Sequence, residues 1–316
     1  MDHTILLCGG LLSLAVISGY AALWLWTPPP IVEHASEKEY RSCSSPKTPL
    51  PLPSLHDAAS VELTVVIPAY NETMRLPSML DSSITYLAAQ KKRTYEILIV
   101  DDGSSDGTAD KALELAKMYP KSEILVVRLE MNLGKGGAVR HGMLHARGER
   151  LLMVDADGAS RFDDLGLLWE ALDSVGGKGT AGVAVGSRAH LVKTEAVVKR
   201  SLLRNFLMYG LHTVLRIVGV GHIRDTQCGF KLFTRAAAQQ IFPHQHLATW
   251  IFDVELLLLA KQLGIPVEEV PIEWHEVPGS KLNVMKDSLQ MLRDLLVLRV
   301  NMLLGTWKIG PKTKKE

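Results

Sequence analysis

Leu151-Leu152-Met153-Val154-Asp155-Ala156-Asp157-Gly158 places four apolar residues directly before two aspartates spaced i, i+2. The apolar run reads as a buried strand and Gly158 as its stop. Side chains two apart on an extended chain share a side, so both carboxylates face one object just past the strand's C-terminal edge. That edge is where open α/β sheets bind ligands. With no His or Cys beside it, the pair suits a hard cation, Mg²⁺ or Mn²⁺, that carries phosphates. The alternative is a solvated turn after a strand.

The flanking sequence has the same form. Residues 63–67 and 96–100 read as strands, the first stopped by Pro68 and the second ending in Asp101-Asp102-Gly103. Further strands are expected at 124–127 and 181–185, with helices at 76–90, 106–118 (capped by Asp106 or Thr108) and 136–146. This alternation predicts an α/β fold, a mostly parallel sheet with helices on both faces.

The 316 residues carry a formal net charge of +1, which argues against a broadly basic nucleic-acid binder. Cys8, Cys43 and Cys228 are an odd, scattered set that makes no disulfide framework and suits a reducing compartment. Residues 1–27 hold an apolar, uncharged stretch long enough to span a bilayer, with Tyr20, Trp24 and Trp26 near its end. With no Lys or Arg before it, an uncleaved anchor is expected over a cleaved signal peptide. Lys38, Arg41 and Lys47 follow it and put the bulk of the chain in the cytosol. Residues 28–60, rich in Pro and Ser, read as a loose linker. A catalytic-type domain is expected over 61–280, then a C-terminal amphipathic helix and basic tail over 281–316. Residues 197–220 and 288–307 are apolar but carry arginines, so they read as helices lying on a lipid bilayer, against core helices as the alternative.

Three strand ends share one edge: Pro68-Ala69-Tyr70-Asn71-Glu72, Asp101-Asp102-Gly103-Ser104 and Asp155-Ala156-Asp157. Such an edge fits a nucleotide, with carboxylates accepting from base and ribose and the last pair holding a metal on the diphosphate. No G-x-G-x-x-G follows the first strand, and Gly134-Lys135-Gly136-Gly137 lacks the spacing of a Walker loop. Its glycines allow close backbone approach and start a helix, and Lys135 is a candidate phosphate contact.

These motifs, with Asn132-Leu133-Gly134-Lys135-Gly136-Gly137, resemble the inverting family 2 glycosyltransferases with the GT-A (Rossmann-like) fold over about 61–188. Gly186-Ser187-Arg188, Asp225-Thr226-Gln227-Cys228-Gly229-Phe230-Lys231, Trp250-Ile251-Phe252-Asp253-Val254-Glu255 and Pro278-Gly279-Ser280-Lys281 look like its polyprenyl-phosphate branch. The branch members most similar take glucose from UDP-glucose to dolichyl phosphate on the cytosolic face of the endoplasmic reticulum. The resemblance implies that Pro68, Tyr70 and Glu72 line the uridine site, with Gly103 beside them, and that Asp101 or Asp102 accepts from uracil or ribose. It implies that Asp155 contacts ribose or metal and that Asp157 is the principal metal ligand.

A phosphate monoester, with a second pKa near ~6, is mostly a dianion at neutral pH and needs no strong base to attack. It needs cations to hold it in line with the anomeric carbon. Arg188 (with Ser187 beside it), Arg200, Arg204, Lys231 and Lys281 are the candidates. Asp253 stands where related enzymes with hydroxyl acceptors keep a base, and is read here as orienting acceptor or donor sugar. Gln227 and Trp250 are candidate sugar contacts. A single in-line displacement inverts the anomeric centre, so an α-linked donor gives a β-linked product. The Q-x-x-R-W of processive synthases is missing its Trp at Gln290-Met291-Leu292-Arg293-Asp294. The ending Lys312-Thr313-Lys314-Lys315-Glu316 looks like a K-x-K-x-x retrieval signal. The alternatives are GDP-mannose or another donor, and a catalytically silent nucleotide-sugar-binding protein.

Overall fold

The apolar runs become strands buried on both faces because helices cover both sides of one sheet. The computed structural model describes residues 13, 17–90, 93–176, 179–193, 223–279 and 283–307. Among them, nine strands form one sheet: β1 (Glu39–Ser42), β2 (Leu50–Pro51), β3 (Val61–Ala69), β4 (Tyr95–Asp101), β5 (Glu123–Arg128), β6 (Gly148–Val154), β7 (Val183–Ser187), β8 (Phe230–Thr234) and β9 (Val267–Pro271). The helices are α1 (Leu76–Ala89), α2 (Thr108–Met118), α3 (Lys135–Leu144), α4 (Leu165–Val175), α5 (Arg235–Ile241), α6 (Phe252–Gln262) and α7 (Val284–Leu304).

Alternate residues of each central strand feed two separate cores. Val66, Leu98, Val100, Leu151 and Met153 pack with α3, α5, α6 and α7 on one face. Val65, Ile67, Ile97, Ile99, Leu152 and Val154 pack with α1, α2 and α4 on the other.

The strand order is β2-β1-β5-β4-β3-β6-β8-β7-β9. The expected mostly parallel sheet is instead mixed. The block β5-β4-β3-β6 and the pair β7-β9 are parallel, whereas β8 lies antiparallel between β6 and β7. The reason is where β8 begins: the Asp155 amide donates to the carbonyl of Gly229 at 3.2 Å. β8 therefore starts at the edge where β6 ends and runs away from it, which brings the 225–231 stretch beside Asp155.

The expected loose linker is also built into the fold. β1 pairs with β5, Leu55 is fully buried, and its amide donates to the carbonyl of Leu144 at 2.7 Å. Glu37 is fully buried and accepts from the amides of His34 (2.7 Å) and Glu130 (2.9 Å). Backbone pairing and one buried carboxylate hold this strap, and neither leaves an apolar period to read.

α7 packs Met291, Leu295 and Leu298 into the core and leaves Leu289, Leu292, Leu296, Val300 and Leu303 exposed at helical spacing. Residues 17–26 are helical and expose Ile17, Tyr20, Trp24, Leu25 and Trp26. Asn301 Nδ2 donates to Thr27 Oγ1 at 3.2 Å and ties the end of the 17–26 helix to α7. Among the described residues, no helix is long and apolar enough to cross a membrane. Most of the expected anchor, the 197–220 segment and the Lys-rich tail lie outside the described residues.

Candidate active site

The C-terminal ends of β3, β4 and β6 meet as the sequence implies. After β3 the chain turns at Asn71, whose φ of 53° lies in the left-handed region that Asn tolerates better than most residues. The turn is tied to the β4 loop: Ser104 Oγ accepts from the Asn71 amide at 2.8 Å, and Asn71 Oδ1 accepts from the Ser105 amide at 2.9 Å. Pro68 ends the strand's buried run, Tyr70 is exposed, and Glu72 is buried with Arg75 forked onto its two oxygens at 2.7 and 2.5 Å. Arg75 did not stand out in the sequence. Its guanidinium also feels Asp157 and Asp155, and its pKa is raised, first by Glu72. The signal was available in the spacing of Glu72 and Arg75, three apart at the start of a helix.

The two aspartates after β4 separate cleanly. Asp102 is buried and both its oxygens are engaged, accepting from the amides of Leu133 (2.7 Å) and Gly134 (2.9 Å). Burial pushes its carboxyl up to about 6, against the pull of those two amides. Asp102 thus clamps the glycine loop. Asp101 accepts from the Ser104 amide at 3.3 Å, with Arg128 Nε at 3.9 Å, and burial raises its pKa. Gly103 is obligatory here: its φ is 66°, and a Cβ would lie 2.7 Å from the Met131 carbonyl carbon.

The glycine loop approaches protein backbone and side chains. A Cβ on Gly134 would meet the Ala248 carbonyl at 2.6 Å, and one on Gly136 would meet Phe252 at 2.6 Å. This packing fixes the start of α3, whose first residue, Lys135, reaches over to Asp155 with Nζ 2.6 Å from Oδ1. Lys135, a candidate phosphate contact in the sequence, is therefore paired with a carboxylate. Burial works against its charge, but Asp155, Asp253 and Asp157 together raise its pKa. Asp157 Oδ1 accepts from the Ala159 amide at 3.0 Å, and burial followed by repulsion from Asp155 holds its carboxyl up. Two partly buried carboxylates that repel each other, each an oxygen donor, are a set that a hard divalent cation relieves.

β8 brings in the second half. Lys231 is fully buried, and its Nζ donates to Asp253 Oδ1 and to the Cys228 carbonyl, both at 2.5 Å. This corrects its reading as an open phosphate cation: its ammonium lies beneath the site and is spent on two acceptors. The physical reason is strand position, since β8 is a central strand buried on both faces. Asp253, in the first turn of α6, is buried, and its carboxyl is pushed up by burial and pulled down by Lys231 and Lys135. Gly229 makes room for Asp155, because a Cβ there would lie 2.0 Å from Asp155 Oδ2.

Arg188, expected on a phosphate, is instead forked onto Asp225: Nε to Oδ2 at 2.7 Å and Nη2 to Oδ1 at 2.9 Å. Asp225 raises the guanidinium's pKa against burial, and its own carboxyl is lowered by Arg188 although burial works upward. Ser187 is buried at the end of β7, its Oγ accepting from the Ala189 amide at 3.3 Å. Gln227 Nε2 donates to Met291 Sδ at 3.5 Å, and Trp250 packs against the core. Cys228 is a buried free thiol pushed up to about 12 by burial. Arg200, Arg204 and Lys281 lie outside the described residues.

One edge therefore holds an alternating charge series: Glu72, Arg75, the Asp157–Asp155 pair, Lys135, Asp253 and Lys231. The model of the family described as "Glycosyl transferase family 2" matches residues 64–242, which include this edge except Asp253. The dolichyl-phosphate beta-glucosyltransferase of Saccharomyces cerevisiae is 44% identical, covering 96% of this chain and 95% of that one. The Drosophila melanogaster protein of the same name is 45% identical over 98% of each chain. Among solved structures, the glucosyl-3-phosphoglycerate synthase of Mycobacterium tuberculosis with Mn²⁺, UDP and glucosyl-3-phosphoglycerate superposes with a TM-score of 0.53. It is 18% identical and covers 76% of this chain and 80% of that one, a likeness of fold. With the family matched over more than half its length and relatives spanning nearly all of it, the chain belongs to glycosyl transferase family 2.

Proposed function

We propose that the protein transfers glucose from UDP-glucose to dolichyl phosphate with inversion, giving a β-linked glucosyl phosphate lipid. The observation that carries the reaction type is the Asp155–Asp157 pair at the strand edge, ringed by Arg75, Lys135 and the buried Lys231–Asp253 couple. The donor and acceptor follow from relatives 42–45% identical over nearly the whole chain that carry that activity in their names.

In this reading Tyr70, exposed beside the β3 turn, and Asp101 receive the uridine, and Asp102 keeps the loop beneath them in place. Asp155 and Asp157 would hold Mg²⁺ or Mn²⁺. That ion, when bound, supplies positive charge to the departing diphosphate. Lys135, 2.6 Å from Asp155, would place its ammonium beside the donor phosphates. Lys231 positions Asp253, and Asp253 in turn feels Lys135, so the couple sets the field at the sugar. No proton needs removal from the acceptor, since a phosphate monoester is mostly dianionic at neutral pH. That agrees with Asp253 being neutralised by a lysine and held in a buried site instead of standing open as a base.

The acceptor is a lipid, and the exposed apolar row on α7, with the exposed aromatic residues of the tied 17–26 helix, supports placement against a bilayer. With the expected anchor and Lys-rich tail, the location proposed is the cytosolic face of the endoplasmic reticulum membrane. The test is transfer of label from UDP-[¹⁴C]glucose or GDP-[¹⁴C]mannose into lipid extract, by the full chain in microsomes supplied with dolichyl phosphate. Label from UDP-glucose alone supports the reading, label from GDP-mannose alone replaces the donor, and label from neither removes the enzyme.

A further inference from the structure

α3 carries His141 in its last turn, and His145, four residues on, caps its C-terminus. Their rings are 4.8 Å apart between centroids, and the Glu33 carboxylate of the strap closes over them. One ligand atom from each of the three lies within 4.8 Å of the others. His141 is 2% exposed, and its Nε2 and that of His145 are buried without a hydrogen-bond partner. An unpaired buried ring nitrogen costs stability, so two on adjacent rings need a reason.

The ring chemistry says which form each takes. His145 Nδ1 lies 2.6 Å from the Pro53 carbonyl, which can only accept, so Nδ1 is the donor and Nε2 is the nitrogen left to bind a metal. A backbone carbonyl on the far nitrogen is the arrangement that orients a metal-binding imidazole. His141 is packed against His145 and buried under the strap, where burial and the neighbouring ring disfavour its charged form. Arg140 Nη1, 3.5 Å from Glu33 Oε1, steadies the carboxylate from outside.

We propose that Glu33, His141 and His145 form a zinc site that fastens the strap to α3. Two imidazoles and one carboxylate are a common three-ligand set for Zn²⁺, leaving a fourth position for water. Zn–N distances of about 2.0–2.1 Å require the ligand atoms to close to roughly 3.4 Å of one another, a shift of about an ångström. The site lies six residues along α3 from Lys135, about 9 Å of helix, so it is separate from the Asp155–Asp157 edge. Its consequence is mechanical: the strap leads from the exposed helix 17–26, and the metal would pin it to the helix whose first residue sits on Asp155.

The full chain, purified in detergent and stripped with chelator, is titrated with Zn²⁺ in excess Mg²⁺ to keep the carboxylate edge occupied. Bound zinc after gel filtration and the unfolding temperature are both read. The expected result is one retained equivalent and an unfolding temperature that rises with free zinc by mass action. Glu33→Gln and His145→Gln, both at partly exposed positions that tolerate the change, weaken zinc binding at least ~10-fold. An Asp157→Asn variant retains the equivalent. The proposal is overturned if the wild-type chain holds no zinc above background, or if Glu33→Gln and His145→Gln hold it as tightly as wild type.

Discussion

Gly229→Ala isolates the placement of one carboxylate. Gly229 lies outside the left-handed region, so alanine can adopt its backbone, and the effect is steric alone. The new Cβ would fall 2.0 Å from Asp155 Oδ2, 2.3 Å from Cγ and 2.5 Å from Oδ1. Contacts below 3.0 Å are essentially never seen for a real Cβ, so the carboxylate must retreat by about an ångström. A rotation of the Asp155 side chain accomplishes this at little cost to folding, about 1 kcal/mol for an off-rotamer angle. The same rotation breaks the 2.6 Å pair with Lys135 and spoils the geometry with Asp157. A misplacement of ~1 Å in an active site can cost ~100-fold in rate, about 2.7 kcal/mol of transition-state stabilisation. Steady-state transfer from UDP-glucose to a short-chain dolichyl phosphate, with thermal unfolding of the same preparation, separates the two effects. The expectation is a fall in kcat of about 100-fold, a higher requirement for divalent cation, and an unfolding temperature within a few degrees of wild type. Activity within threefold of wild type at ordinary cation levels would refute the idea that Asp155 must lie across Gly229.

Asp102→Asn tests the clamp through pH. Folded Asp102 sits at about 6 against an ordinary 3.8, so the folded state holds the proton more tightly. Stability therefore falls as pH rises from about 4 to 6, by up to roughly 3 kcal/mol. The variant flattens that slope in urea unfolding, and an unchanged slope contradicts the assignment. Lys231→Met leaves Asp253 buried and uncompensated, a loss of about 3–5 kcal/mol. Because the raised Asp253 carboxyl then loses stability as pH rises past the ordinary carboxylate range, its unfolding temperature drops further at pH 8 than at pH 5. Lys231→Met/Asp253→Asn recovers part of the loss, and a double variant worse than the single would contradict the pairing. Replacing Leu289, Leu292 and Leu296, all exposed on α7, with glutamate lowers liposome flotation of a chain lacking residues 1–27. Flotation equal to the unsubstituted truncation would exclude α7 from the membrane surface.

Sequence pattern carried the parallel half of the sheet because 151–154, 96–100 and 63–67 are apolar runs ending in polar groups, and such runs need helices on both faces. It missed β8 and β9. Phe230-Lys231-Leu232-Phe233-Thr234 has a lysine at its second position, and the charge that masks it as a strand is matched by Asp253, 22 residues on. It missed the strap because Pro- and Ser-rich chain is held by main-chain pairing and the buried Glu37. Within the site, residue types and edge were legible, but division of labour was not. Asp101 and Asp102 are adjacent in sequence and differ in which amides reach them and in the Arg128 beside Asp101. Arg188 and Lys231, candidate phosphate cations by sequence, are paired with Asp225 and Asp253, which lie 37 and 22 residues away along the chain. The histidine pair on α3 drew no notice because its third member, Glu33, lies in the strap.

The most direct test of the central claim is the anomeric configuration of the lipid product. Full-length protein reconstituted in liposomes is given UDP-α-glucose, dolichyl phosphate and Mg²⁺, and the anomeric proton coupling of the extracted glycolipid is measured beside an Asp157→Asn sample. The edge assembled around Asp155 and Asp157 gives a β-glucosyl phosphate lipid from the wild type, with chelator or Asp157→Asn reducing it by at least ~1,000-fold. An α-linked product, or β-linked product formed undiminished by Asp157→Asn, would contradict it.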